Sequence, residues 1–220
     1  HGRTVTRRPH RRQRPRSPTG GAGATGQTGR VTWRYEDGGP RRRQLVPGAL
    51  GIGPDDRLAV TTRLTPAATM VVTDEQGGFF LLRHTAGDDS IALVERIDPH
   101  TLEPLATSPE LPGGPVWPGG LGVAPDGALH VVFGDHAHRL GPDLVPTASA
   151  RLPRHRPYNS FVTLADGHLV TKDFGGSRPG APVPAGEREP CELLLLDPLD
   201  LSIVARLELP EASIARLSAD

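Results

Sequence analysis

The feature that most limits how this chain can fold is a short unit that occurs twice, with starts forty residues apart. The first copy, GLGVAPDGALHVVFGDH, begins at Gly120, and the second, SFVTLADGHLVTKDFGG, begins at Ser160. Each copy has two apolar runs joined by an Asp-Gly pair, Asp126-Gly127 in the first and Asp166-Gly167 in the second. Because Asp-Gly favours the positive φ values that tight hairpins require, each copy predicts two antiparallel strands.

The repeat extends beyond these hairpins. From about residue 66, each round holds four short apolar segments separated by turn residues, over about 66–112, 113–153 and 154–210. The tails RIDPHTLEPLATSPELP and LLDPLDLSIVARLELP align at Asp98 with Asp197 and at Leu102 with Leu201, and RLGPDLVPTASARLP is a weaker copy between them. Four strands in about 40–55 residues is the unit of a β-propeller blade.

The sequence therefore predicts an all-β fold, a β-propeller with about three four-stranded blades and the first strand of a fourth. The 27 glycines and 24 prolines suit short strands with frequent turns. A closed propeller needs about 4–8 blades, so we expect an incomplete ring and the N-terminal fragment of a longer protein. The apolar faces at both ends of such a fragment are expected to be exposed, namely at Phe79, Leu81 and Leu82 and at Ile203 and Val204.

Residues 1–50 are predicted to be a disordered leader rich in Arg, Pro and Gly, and residues 51–220 to be the partial propeller. Residues 1–43 contain twelve arginines against Glu36 and Asp37, and the first thirty show no hydrophobic periodicity. Such an arginine cluster could neutralise phosphates, but aromatic residues that stack on bases are absent before Trp33. Nucleic acid is therefore not the partner that we expect.

Localisation stays open at this point. No apolar run approaches the roughly 18–20 residues of a transmembrane helix. The chain starts at His1 instead of Met, so we expect the N-terminus to be incomplete, and both a cytoplasmic and a secreted protein are compatible with the sequence.

The repeats resemble those of a known group of propellers. The pattern D-x-x-T/D-L…L-x-L-P followed by x-P-D-G-x-L-x-V is similar to the repeats of bacterial β-propellers of the YVTN and quinoprotein-like type, over residues 66–220. That group includes sugar lactonases, quinone-dependent dehydrogenases and pure binding scaffolds. The resemblance therefore implies an architecture and leaves the activity open.

Two places in the sequence are candidates for a metal site. His136 and His138 lie two residues apart, on one face of an extended segment, beside Asp135; imidazole and carboxylate are metal ligands, although a tight turn also uses polar residues. Asn159 lies in PYNSFVTLADG, which resembles a segment of gluconolactonase- and strictosidine-synthase-like propellers. The resemblance implies an Asn that coordinates a central divalent ion such as Ca²⁺; alternatively, Asn159 holds its loop through backbone hydrogen bonds.

Two functions remain as hypotheses. In the first, the protein is a scaffold that binds a protein or a small-molecule ligand. In the second, it is a propeller enzyme, either a lactonase-type hydrolase or a quinone-dependent oxidoreductase. We favour the scaffold because no blade shows a convergent set of acids or histidines. No cofactor is indicated by the residues, and Ca²⁺ or a quinone enters only with the enzyme hypothesis.

Overall fold

The structure is a computed structural model that describes residues 32–44, 53, 55–57, 59–175, 183–213 and 215–220. These residues form thirteen strands in three antiparallel sheets, two short 3₁₀ turns and no α-helix, which confirms the predicted all-β class. They do not close into a barrel. A helix long and apolar enough to cross a membrane is absent from this part of the chain.

Each sheet is a meander of strands that follow one another in the chain. The first sheet has β1 (Ala68–Thr73), β2 (Phe79–His84), β3 (Ser90–Ile97), β4 (Pro104–Thr107) and β5 (Leu111–Gly114). The second has β6 (Gly120–Val123), β7 (Leu129–Phe133), β8 (His136–Leu140) and β9 (Pro146–Arg151). The third has β10 (Tyr158–Thr163), β11 (Leu169–Asp173), β12 (Glu192–Leu196) and β13 (Ile203–Glu208). β1, β6 and β10, the first strand of each sheet, are called the inner strands below.

The first sheet differs from the four-stranded prediction because its outer strand is split into β4 and β5, which both pair with β3. Ser108 lies at the break, where its N–H donates to Val94 O and its Oγ accepts the Val94 N–H at 3.0 Å. Pro109 follows and has no N–H to donate, so regular pairing stops there and resumes at Leu111.

The Asp-Gly turns occupy corresponding positions, as predicted. Gly127 and Gly167 have φ of 83° and 93° between the first two strands of the second and third sheets. The Gly127 N–H donates to Ala124 O and the Gly167 N–H to Leu164 O, both at 3.0 Å. These turns define the turn side of the molecule. The opposite ends of the sheets, with the β2–β3, β7–β8 and β11–β12 connections, are called the loop side.

The aligned tails of the sequence also form one repeated turn, between the third and fourth strands. Leu102, Leu144 and Leu201 have φ of 62°, 65° and 64°, a conformation that is rare for leucine. The N–H of Leu102 donates to Asp98 O and that of Leu201 to Asp197 O. The side chains of Leu144 and Leu201 are each 1% exposed, so burial of the leucine holds the strained turn in place.

The core consists of two layers, one between each pair of neighbouring sheets. The layer between the first and second sheets contains Val72, Leu82, Val94, Leu121, Val131 and Phe133. The layer between the second and third contains Val132, Ala137, Phe161, Leu169, Leu194 and Leu196. Successive residues of the middle sheet thus point into different layers, as expected for a strand with both faces covered.

The exposure predicted for the terminal sheets is only partly correct. Leu82 is fully buried because it faces the second sheet, and Leu81, on the opposite face, is 7% exposed. Arg63 reaches this opposite face and pairs with Glu95, which lies beside Leu81 in the sheet. At the other end, Val204 is 54% exposed, as predicted, whereas Ile203 packs against the second layer of the core.

Part of the predicted leader lies within the described residues. Residues 32–44, called the crossing segment below, contact β1 and β6: the Thr73 N–H donates to Trp33 O and the Val123 N–H to Arg34 O, both at 2.8 Å. This segment therefore differs from the expected disorder, because its aromatic residues find apolar surface at the inner strands. Residues 1–31 and 45–50 of the predicted leader lie outside the described residues.

Candidate functional site

A cleft of about 430 Å³ opens on the loop side, where the first and second sheets meet. It is formed by the β2–β3 connection, the segment around β5, the β7–β8 turn and the segment that joins β9 to β10. Its lining residues are Asp89, Ser90, Ile91, Glu110, Pro112, Gly113, Gly114, Asp135, His136, Arg151 and His155. We call it the loop-side cleft.

The carboxylate of Asp135 organises this cleft. Asp135 is fully buried in the β7–β8 turn. Its Oδ1 lies 2.7 Å from His136 Nδ1, and its Oδ2 lies 2.7 Å from His155 Nδ1 and 3.3 Å from Arg151 Nε. The backbone of Asp135 is fixed as well, because its N–H donates to Gly113 O and its carbonyl accepts the Leu152 N–H. Two loops and a strand end thus converge on one carboxylate.

Glycines allow this close approach. Gly134 has φ of 56°, and Gly114 has φ of 79°. A Cβ atom on Gly134 would overlap the Gly113 carbonyl, and a Cβ on Gly114 would overlap the Asp135 carboxylate. Both positions therefore require glycine for conformation and for space, and the local sequence permits the buried carboxylate.

The hydrogen-bond chemistry of the cleft follows from the Asp135 carboxylate. An ionised carboxylate and a backbone carbonyl only accept hydrogen bonds, so His155, bonded to Asp135 Oδ2, and His136, bonded to Gly113 O, each hold a proton on Nδ1. In the neutral imidazole, Nε2 is then an acceptor. Asp89 and Glu110 add carboxylate oxygens to the lining, and Arg151 adds a cationic donor. The cleft is consequently rich in acceptors and suits a ligand that carries hydroxyl or amine groups.

His138, one of the predicted metal ligands, is a buried structural residue in this chain. Its Nε2 lies 2.7 Å from Pro112 O, to which it must donate, and its Nδ1 accepts from Ser149 Oγ at 2.9 Å. Burial lowers the pKa of His138 to about 4, with the hydrogen bond to Pro112 opposing the shift. The ring stacks on His136 with 6.0 Å between centroids, so the two side chains share one face, as the sequence predicted.

The predicted metal site stays a prediction. His136 borders the loop-side cleft, whereas both ring nitrogens of His138 already have protein partners. The Asn159 side chain lies outside the described residues. In the part of the chain that the structure describes, no group of three or more His, Cys, Asp or Glu side chains has a geometry that holds a metal ion.

A second charged cluster lies on the loop side of the third sheet. Asp173 is fully buried and accepts from Arg154 at 3.1 Å and from the Gly175 N–H at 2.8 Å. The neighbouring Lys172 is 3% exposed, donates to Ser213 O and lies 3.8 Å from Cys191 Sγ. Burial raises the pKa of the Cys191 thiol. Asp173 and Lys172 both have protein partners, so we assign this cluster a structural role.

Sequence reasoning identified His136 and missed the rest of the cleft. Arg151 and His155 lie sixteen and twenty residues after Asp135, and only the fold brings them to its carboxylate. A weak signal was present in RHR at 154–156, a charged triplet directly before an apolar strand. Asp135 itself was noted only as a neighbour of His136, because burial of a carboxylate cannot be inferred from a Gly-Asp-His turn.

Comparisons with known proteins leave the function open. No protein-family model matches this chain, and no curated protein matches it. A solved structure of a protein of unknown function from Bacteroides caccae is similar, with 12% sequence identity and a TM-score of 0.40. The match covers 64% of this chain and 45% of that chain, so this chain spans less than half the length of that protein. We base no conclusion on so distant a similarity.

Proposed function

We propose that the three sheets are consecutive blades of a β-propeller of the YVTN and quinoprotein-like type, and that the protein is a ligand-binding scaffold. Two kinds of turn recur in consecutive sheets at corresponding strand positions, which supports the propeller. The sheets also follow one another in the chain and bury one core layer between each neighbouring pair. In folds of this kind, loops carry the binding residues while the sheets hold them in place.

The ligand site that we propose is the loop-side cleft. The observation that carries this proposal is the buried Asp135 carboxylate with an imidazole beside each oxygen. His155 Nδ1 bonds to Oδ2 at 2.7 Å, whereas His136 Nδ1 lies 2.7 Å from Oδ1 and bonds to Gly113 O at 3.2 Å. These bonds hold both rings in one orientation before any ligand arrives. The ligand that fits these acceptors is a small polar molecule with hydroxyl or amine donors.

The test uses saturation-transfer NMR with simple sugars, polyols and polyamines as probes. We expect at least one probe class to bind the unaltered chain. His155→Ala should weaken that binding by about tenfold, because the ligand loses the hydrogen bond to His155 Nε2. His100→Ala is the matched control, since His100 is exposed on the turn side and binds no part of the cleft. Failure of every probe, or equal binding in both variants, would contradict the proposal.

The same observation favours a second candidate, an enzyme with His155 or His136 as a general base. An acceptor that fixes the proton on Nδ1 leaves Nε2 to take up a proton, which is the arrangement used for proton abstraction. A lactone and an ester added to the NMR probes separate the two candidates, because an enzyme consumes such a bound probe over time. A probe that binds and stays unchanged supports the scaffold.

A further inference from the structure

The crossing segment, residues 32–44, is seated on the turn-side ends of the inner strands. The Thr73 N–H donates to Trp33 O, and the Trp33 N–H donates to Thr73 Oγ1 at 2.7 Å. The Val123 N–H donates to Arg34 O. β1 and β6 are the edge strands of their sheets, and the crossing segment accepts from these two edge N–H groups as an added peptide strand does.

A glycine makes room for an aromatic side chain of the segment. A Cβ atom on Gly122 would lie 2.9 Å from Cδ1 of the Tyr35 ring. Strand pairing shows that the corresponding positions of the first and third sheets are Val72 and Val162. The middle inner strand therefore lacks a side chain where the other two have valine, and the rings of Tyr35 and of Phe161 on β10 share that space.

Charged residues fix the second half of the segment. Arg42 pairs with Glu36 at 2.9 Å and Asp37 at 3.1 Å, and it also reaches Ser160 Oγ on β10 at 3.3 Å. Arg216, outside the segment, pairs with the same two acids. The acidic pair thus faces one cation that belongs to the segment and one that belongs to the rest of the molecule.

A cavity lies beside the second half of the segment. It has a volume of about 660 Å³ and lies between residues 38–43 of the segment and the turn at residues 163–167, with Pro125, Tyr35, Ala219 and Asp220 at its border. In the described part of the chain, backbone atoms of the segment bond to the sheets at Trp33 and Arg34, and Pro40 O accepts from the Ala219 N–H. A segment with so few backbone bonds to the sheets, beside a partly empty cavity, has the properties of an element that opens locally.

We propose that the surface beneath the crossing segment is a binding site for an extended peptide, and that the segment occupies this site in cis. This surface, called the groove, runs from Thr73 and Val123 to the cavity at residues 163–167. The peptide that fits has an aromatic residue for the space at Gly122 and a second aromatic residue two positions before it. Its backbone carbonyls accept from Thr73 and Val123, and an acidic pair directly after the aromatic residue at Gly122 meets Arg216, as Glu36 and Asp37 do. The groove lies on the turn side, so this site is independent of the loop-side cleft.

The first experiment measures binding of a fluorescent peptide that copies residues 32–44, by anisotropy, to the full chain and to the variant Trp33→Ala/Tyr35→Ala. The cis segment competes at the millimolar effective concentration typical of a short tether. We therefore expect the variant to bind the peptide at least tenfold more tightly than the unaltered chain does. No binding by a folded variant, judged by circular dichroism, would overturn the proposal.

Substitutions at two threonines of β1 test whether the peptide binds at the position of the crossing segment. In the variant background, Thr73→Val removes the acceptor of the Trp33 N–H without changing side-chain size, and we expect peptide affinity to fall about threefold to tenfold. Thr69→Val is the control, because Thr69 lies on the same strand and its hydroxyl bonds to Leu82 O. Equal losses of peptide affinity from both substitutions would show that the peptide does not bind at Thr73.

If the double variant fails to fold, hydrogen exchange on the unaltered chain tests whether the crossing segment leaves the groove. A segment that leaves its groove exposes the amides of Thr73 and Val123 while the central strands stay paired. We expect these two amides to exchange at least tenfold faster than the amides of β2 and β7. Equal protection of these amides and those of β2 and β7 would show that the crossing segment is a permanent part of the fold, and would overturn the proposal.

Discussion

At the scale of single residues, His138 shows how a buried polar group ties folding to pH. Its ring is fully buried, and burial lowers its pKa from 6.5 to about 4. The unfolded chain therefore binds a proton below pH 6.5 that the folded chain does not bind, so the free energy of unfolding falls as pH falls. The contribution of His138 between pH 7 and pH 4 amounts to about 3 kcal/mol.

His138→Leu tests this linkage, with leucine taken from the corresponding position in the third sheet, Leu194. We expect the variant to be less stable at pH 7, because Pro112 O and Ser149 Oγ lose their partner. Its stability should nevertheless fall less steeply with acidification than that of the unaltered chain, as measured by urea unfolding across this pH range. His100→Ala, at an exposed position, should keep the original slope, and parallel slopes for His138→Leu would refute the assignment.

At the scale of the elements, the Asp-Gly turns carry conformational strain that only glycine avoids. Gly127 has φ of 83°, and a Cβ atom there would meet no other atom within 4 Å. Gly127→Ala therefore introduces strain without a clash, and we expect a loss of about 1–2 kcal/mol in the free energy of unfolding.

The control for this turn is Gly186→Ala. Gly186 is exposed, also has open space around it, and lies outside the positive-φ region. Its substitution should change stability by less than about 0.5 kcal/mol in the same denaturant titration. If both variants lose equal stability, backbone strain is not the reason that glycine occupies the Asp-Gly turns.

The elements were largely predictable from sequence because local chemistry determines them. Asp126-Gly127, Asp166-Gly167 and the Asp98 and Asp197 turns each bond within five residues, so their signals lie within a short stretch of chain. The split of β4 from β5 was not predicted, because it depends on the hydrogen bond that the Ser108 hydroxyl accepts from the Val94 N–H on a neighbouring strand.

The candidate sites were less predictable because they depend on residues that only tertiary structure brings together. The loop-side cleft joins residues from 89 to 155, and burial of Asp135 follows from how three connections pack. The seat of the crossing segment depends on a missing side chain at Gly122, nearly ninety residues away from Tyr35. Trp33 and Tyr35 were the available signal, as two aromatic residues beside a basic, non-periodic leader.

At the scale of the whole molecule, the three sheets follow one another in one direction, and within the described part of the chain no further sheet covers the outer face of the third. Strand pairing places Val170, Lys172, Leu193, Leu195, Ala205 and Leu207 on the face of the third sheet that points away from the second, where Lys172 is itself buried. The corresponding residues of the second sheet, which include His130, Val132, Ala137 and Arg139, are covered by the third. The uncovered face is thus the more apolar of the two, and Leu207 is 60% exposed.

This face predicts that the chain associates with itself. Burial of apolar surface stabilises an association by about 25 cal/mol for each Å², and an open face of this kind is large enough to drive contact between molecules. We expect the mass measured by size-exclusion chromatography with light scattering to rise with concentration, and Leu207→Lys to suppress that rise by placing a charge on the face. Leu105→Lys is the matched control, because Leu105 is 64% exposed on β4, in the outer strand of the first sheet, away from this face. A mass that stays monomeric at every concentration would show that the outer face of the third sheet is stable in contact with water. Equal suppression of association by both lysine substitutions would show that association does not occur through this face.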